Sequence, residues 1–141
     1  MKSERAGRAR PEIRIAETEA AKERIYRFRY RIYVEEMKKT LSYSDNTEKK
    51  LYDPLDDWGV HFFAESDGEI IASVRANHGG AAGFPDDVRN IFRLDMFSAF
   101  GKTLHMSSRL MVAREWRRST LLARMFNTMY THGRNRGCRF D

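Results

Sequence analysis

Apolar positions change period along the chain, and each change marks an element. Glu12-Ile13-Arg14-Ile15-Ala16 alternates polar and apolar residues, the pattern of a half-buried strand. From Glu17 to about Lys39 the period lengthens: Ala21, Ile25, Phe28 and Ile32 fall at helical spacing, and Tyr33 and Met37 widen the stripe. With no Gly or Pro in that stretch, it predicts one long amphipathic helix. Leu41 to Asp57 is polar and turn-rich, which predicts an ordered loop or flap longer than a simple connection requires.

Val60 to Glu65 and Glu69 to Arg75 are two strand-like runs around Asp67-Gly68, the turn chemistry of an antiparallel hairpin. Gly79-Gly80-Ala81-Ala82-Gly83 breaks the pattern, and Pro85-Asp86-Asp87 with Val88, Ile91 and Phe92 predicts a short helix. Leu104 to Ala113 reads as another strand. Ser119 is a candidate N-cap for a second firm helix, whose stripe of Leu121, Leu122, Met125, Phe126, Met129 and Tyr130 ends before Gly133 or Gly137. Cys138 to Asp141 has the character of a new strand just begun. The order is β, α, flap, β, β, short α, β, α and an incipient β, so the fold class is α/β, a mixed central sheet flanked by helices. The expected organisation is a basic leader over residues 1–11 and one domain over 12–141, its last strands missing.

Composition narrows the class. At 141 residues, with 41% hydrophobic, 12% aromatic and 33% charged positions, the chain has the makeup of a folded single domain. The lone Cys138 excludes an internal disulfide framework and a cysteine-based zinc site, which leaves the cytoplasm as the default compartment. No run approaches the ~18 apolar residues of a membrane span. The net charge of +6 is segregated: residues 1–50 carry 14 Lys and Arg against 9 Asp and Glu, residues 51–100 carry 3 against 9, and residues 101–141 carry 9 against 2. A basic C-terminal segment suits a phosphorylated ligand or an acidic protein, and an acidic middle suits an amine. His61, His78, His105 and His132 show no metal-ligand spacing, so no metal is expected, and no Ser/His/Asp arrangement supports a hydrolase.

The segment Met111 to Leu122 joins a strand to a helix through an Arg-rich turn. A helix N-terminus offers free N–H groups and a positive dipole end, so Val112, Arg114, Arg117, Arg118, Ser119 and Thr120 are candidate ligands for the phosphates of a phosphopantetheine donor. An ordinary exposed basic turn fits the same residues. The element order here resembles the GNAT superfamily of acyltransferases, and more closely its branch of autoinducer synthases, long-chain N-acyl amino acid synthases and exosortase-associated acyltransferases. That branch carries an Arg, an aromatic residue and acids on its first helix, as in Arg29 to Glu36. It also has Asp-x-x-Asp at the end of its flap, as in Asp53-Pro54-Leu55-Asp56. A hairpin ending in Arg matches Asp67-Gly68 through Arg75, and a later Ser-Arg matches Ser108-Arg109. Autoinducer synthases have a Trp after the first motif and a Glu three residues before the later Arg. This chain has no Trp before Trp58 and has Met106 at the second place, which favours the N-acyl amino acid synthases and the exosortase-associated acyltransferases.

The resemblance implies transfer of a fatty acyl group from acyl carrier protein, or from coenzyme A, to the amine of an amino acid or similar small acceptor. The donor is a co-substrate, with no permanently bound cofactor, and an acidic carrier protein would dock on the basic C-terminal segment. Aminolysis of a thioester needs a carboxylate near the amine. Asp53 and Asp56 are the catalytic candidates together with Arg75 and Arg109, and Arg29, Tyr33 and Ser108 are the acceptor-binding candidates. Loop capping by the two acids and structural ion pairing by the arginines explain the same residues. A basic nucleic-acid-binding module and an inactive acyltransferase fragment are the alternative classes; the acidic middle and the lack of a reading motif weigh against nucleic acid.

Overall fold

A computed structural model of the protein describes residues 9–141, so the first eight residues of the expected leader lie outside the described residues. Four antiparallel strands form the main sheet in the order β1-β4-β5-β6: β1 (Ile13–Ile15), β4 (Val60–Ser66), β5 (Glu69–Gly79) and β6 (Leu104–Val112). Phe140 adds a single parallel bridge to Leu104, where the incipient strand was expected. The β4–β5 turn is as predicted. Asp67 and Gly68 take φ of 53° and 80°, the two left-handed residues that a tight hairpin turn requires.

Both faces of the sheet are covered, so β5 is buried almost throughout. Side chains alternate between faces along β4 and β5. His61 and Arg75 face helix α1 (Glu19–Tyr30), while Phe62 and His78 face helix α3 (Leu121–Asn135), whose His132 packs against both rings. Helix α1 opens at Thr18, whose hydroxyl accepts the Ala21 N–H, and it buries Ile25 and Phe28 against the sheet. Helix α3 buries Leu121, Met125, Met129 and Gly133, one residue per turn, and leaves Leu122 and Tyr130 on its exposed flank. Its start is one residue beyond the expected one: Thr120 takes the N-cap place without a side-chain cap, and the Ser119 hydroxyl accepts the Leu121 N–H at 3.2 Å.

Two regions depart from the periodicity. The long first helix is α-helical only to Tyr30; Arg31–Glu36 widens into a π-helical turn, and the chain leaves it at Lys38 with φ of 55°. A π turn keeps the apolar stripe nearly intact, so hydrophobic spacing does not reveal it. The flap is more ordered than a loop. Strands β2 (Ser44–Asp45) and β3 (Lys50–Leu51) pair as a small hairpin, Leu51 is fully buried, and the Arg27 guanidinium and Tyr30 hydroxyl bond to Glu48 and Asn46. A 3-10 turn, Pro54–Asp57, then leads into β4, and helix α2 (Asp86–Phe92) follows β5 as predicted.

Gly133 makes the tight approach between α3 and β6. A methyl group there would stand 2.7 Å from Cδ2 of His105, whose buried ring is tied through Nδ1 to the Asp141 carboxylate. Gly133→Ala is therefore expected to destabilise the fold. Overpacking of about 1–3 kcal/mol outweighs the roughly 1 kcal/mol that Ala adds to a helix interior. A lowered urea midpoint checks this.

Candidate functional site

Where the flap turns into β4, the sequence stores acids at the spacing of a capping box. The Asp53 carboxylate accepts the Leu55 N–H at 3.0 Å, and Asp56 Oδ2 accepts the Asp53 N–H at 2.8 Å. The two carboxylates are thus tied to each other's backbone within one turn. Three arginines then converge on them from separate elements. Arg29, from α1, donates through Nη1 to Asp56 Oδ1 at 2.8 Å. Arg75, from β5, reaches both acids through Nη1, at 2.6 Å from Asp53 Oδ1 and 2.8 Å from Asp56 Oδ1, and its Nε donates to the Ser108 hydroxyl at 3.1 Å. Arg109, from β6, grips Asp53 Oδ2 through Nε and Nη2 at 3.1 and 2.6 Å.

Local backbone features make this convergence possible. Ser73 pairs with Met111 and Arg75 with Ser108, so Val74 faces two residues, Arg109 and Leu110. The result is a bulge in β6, with Arg109 in the left-handed region at φ of 55°. A non-glycine residue held there carries strain of roughly 1–2 kcal/mol. The bulge turns Arg109 toward Asp53. Gly59 serves the other side: a Cβ at that position would lie 2.9 Å from Cγ and Cδ of Arg75 and from the Leu55 carbonyl oxygen. The stem of Arg75 therefore passes where only glycine leaves room.

Burial grades the cluster. The side chains of Arg29 and Asp56 are 0% exposed, Asp53 6% and Arg109 21%, so the network runs from a sealed interior to an opening at Arg109. Tyr33, in the π turn, presents its ring 5.9 Å from the Arg109 guanidinium carbon. Arg75 and Arg109 hold the Asp53 carboxyl below the usual carboxylate range even though burial works in the opposite direction. Burial also lowers Arg29, which as a guanidinium stays charged. Three guanidinium groups thus meet two carboxylates, a net charge of +1 within a largely buried cluster.

All of the acid, arginine and acceptor candidates named from sequence therefore lie together: Asp53, Asp56, Arg29, Arg75 and Arg109 in one network, with Ser108 and Tyr33 at its edge. Two members had no sequence signal. His61 faces Arg29 across 3.1 Å, and Asn77 donates to the Leu55 carbonyl oxygen at 2.9 Å; both rest on contacts with residues more than twenty positions away.

The second group of candidates stands at the start of α3. Arg114, Arg118 and Thr120 are exposed there. Arg117 is engaged within the protein: Nε donates to the Val112 carbonyl oxygen at 2.9 Å and Nη2 pairs with Glu36 at 2.5 Å, tying the end of β6 to the π turn. Beside them is a cavity of about 250 Å³ whose lining includes Arg10, Trp116, Ser119, Thr120 and Arg124. A second cavity, of about 390 Å³ and mainly apolar, is lined by Phe84, Phe92, Phe97, Leu104, Met106 and Phe140 among others. No group of three or more His, Cys, Asp or Glu among the described residues is arranged to hold a metal ion, and no helix among them is long and apolar enough to cross a membrane.

His61 and His78 are both lowered by burial and neighbouring groups to about 4. The unfolded chain, with imidazoles near the ordinary 6.5, binds more protons in that interval. Both histidines thus contribute stability that is complete above about pH 6.5 and is lost as pH falls toward about 4. The urea midpoint is expected to fall over that range, and a midpoint that stays level would contradict the buried, neutral state of the two rings.

A model of the family described as N-acyl amino acid synthase FeeM matches residues 24–140, a span that contains every residue of the acid and arginine cluster. Among curated proteins, none matches the chain.

Proposed function

We propose that this chain, which belongs to the N-acyl amino acid synthase FeeM family, transfers a fatty acyl group from a phosphopantetheine thioester to the amine of an amino acid. Membership implies an acyltransferase and accords with the branch that the motifs resembled. The observation that carries the finer reading is the side-by-side pair of Asp53 and Arg109 at the open end of a cluster with one excess positive charge. An α-amino acid presents an ammonium and a carboxylate a few ångströms apart. Such a zwitterion complements an acid and a guanidinium arranged together, and the surplus cation favours an acceptor that retains its carboxylate.

In this reading Arg109 binds the acceptor carboxylate, with Tyr33 and Ser108 bounding the place it occupies. Asp53 receives the hydrogen bond of the amine. The ammonium first gives one proton to water; the neutral nitrogen then bonds to the thioester carbon as the carbon–sulfur bond breaks, and its second proton passes by Asp53 and water to the departing sulfur, which leaves as the pantetheine thiol. A carboxylate held at low pKa is a weak base, so Asp53 contributes chiefly orientation and an anionic partner for the nitrogen as it gains positive charge on attacking the thioester carbonyl. Buried behind it, Asp56 holds the Asp53 backbone and Arg29 holds Asp56, while Arg75 grips the Asp53 carboxylate and with Arg109 keeps it ionised.

The donor approaches the N-terminus of α3. Support comes from the exposed Arg114 and Arg118, from the absence of a side-chain cap at Thr120, and from the adjoining cavity. Arg117 supports that turn from within, through Val112. The apolar cavity by Phe97 and Phe140 has the character a hydrocarbon chain requires. An acyl carrier protein, acidic on its surface, fits the basic C-terminal segment better than free coenzyme A does.

Product formation followed by mass spectrometry, with acyl carrier protein as donor, tests the reading. Asp53→Asn is expected to lower kcat/KM by on the order of 100-fold or more. Arg109→Gln is expected to raise KM for an amino acid much more than for its carboxamide, which lacks the charge Arg109 recognises. Equal losses for acid and amide would contradict the assignment of Arg109.

A further inference from the structure

We propose that His61 is a positioning residue for this transfer: held as the neutral Nε2–H tautomer, it fixes Arg29 against Asp56 and thereby sets where Asp53 stands. The kinetic consequence rests on the acyl-transfer reading; the geometry beneath it does not.

His61 sits in β4 with its side chain 1% exposed. Arg29 Nη2 approaches its Nδ1 to 3.1 Å. A guanidinium has donors and no acceptor, so Nδ1 must present its lone pair, and the ring proton resides on Nε2. That atom faces the Asp56 carbonyl oxygen at 3.4 Å, which accepts. Both neighbours call for the same tautomer. Four groups face the ring: Arg29 and Tyr26 from α1, the latter edge-on with centroids 5.9 Å apart, Asp56 from the 3-10 turn, and Arg75 from β5. Two guanidinium groups against one carboxylate, together with burial, oppose a charge on the imidazole.

From His61 the contacts run in one direction to the acceptor site. Nδ1 holds Nη2 of Arg29, whose Nη1 holds Asp56 Oδ1. Asp56 Oδ2 holds the backbone N–H of Asp53, whose carboxylate meets Arg109 at the opening. A proton added at Nδ1 would set donor against donor and cation against cation at the first link. Arg29 would withdraw, and Asp56 would be left to Arg75 and the Asp53 N–H, with no partner on the side of α1 to hold its carboxylate in place. His61 thus touches neither donor nor acceptor but governs the acid that does.

Two measurements on the full chain test this. Nitrogen-detected NMR of the imidazole groups should show His61 as the Nε2–H tautomer, with no titration until the pH approaches about 4. An Nδ1–H tautomer, or a titration near the ordinary value for histidine, overturns the proposal whether or not the chain is active. For kinetics, His61→Asn keeps a non-titrating acceptor near the place of Nδ1, and His61→Leu removes the acceptor while keeping an apolar side chain of related size. The Leu variant is expected to lower kcat/KM by on the order of 100-fold, the effect of displacing a reacting group by about an ångström. The Asn variant should recover most of that loss. Its rate relative to wild type should rise as the pH falls toward about 4, the ionisation of the amine being common to both and cancelling. A flat ratio, or a Leu variant as active as wild type, overturns the proposal. Should the wild-type chain acylate no amino acid, the functional reading fails, while the NMR result still decides the geometry.

Discussion

The buried pairing of Asp53 and Asp56 with Arg29 and Arg75 is the interaction on which the rest of the site depends. Ionised groups removed from water cost several kcal/mol each unless they are paired and hydrogen-bonded. Here that cost is offset by geometry on every side: a capping box satisfies the turn, Arg75 bridges both acids, and Arg29 closes the interior end. Buried ion pairs of this kind seldom add net stability over an apolar core of the same volume. What they provide is a fixed arrangement of charge. The flap, the first helix and two strands are all locked to one another through it.

That arrangement explains why several local features are strained or tight. Arg109 occupies a left-handed conformation that its side chain disfavours, and the bulge that imposes it also delivers the guanidinium to Asp53. Gly59 leaves room for the stem of Arg75, and the π turn brings Tyr33 over Arg109 and Glu36 to Arg117. Each departure from regular geometry serves the placement of a charged group. The fold without them would be an ordinary sheet between two helices.

How much of this was legible in the sequence follows from how local each cause is. The β4–β5 hairpin was readable because Asp67-Gly68 supplies the two left-handed residues within the turn itself. The Asp-x-x-Asp spacing carried both of its meanings, since a capping box is a property of four consecutive residues. The convergence of Arg29, Arg75 and Arg109 was reached through family motifs, because no spacing relates residues drawn from a helix and two strands. The contact between Arg117 and Glu36 was not legible, because the two lie 81 positions apart and an Arg-rich turn carries no mark of such a partner. The bulge at Arg109 left no mark because Ser108-Arg109-Leu110 contains no glycine. The π turn kept the hydrophobic stripe that an α-helix would show.

In the proposed reaction the open end of the buried, net-positive cluster reads the head group of an amino acid. Nitrogen-detected NMR of the arginine side chains during an amino acid titration addresses it most directly. Arg109 is expected to shift with saturable dependence on the amino acid and to respond weakly to the corresponding amide, while Arg29, sealed in the interior, responds only slightly. No response at Arg109, or an equal response to acid and amide, would contradict the claim and leave the cluster as a structural lock alone.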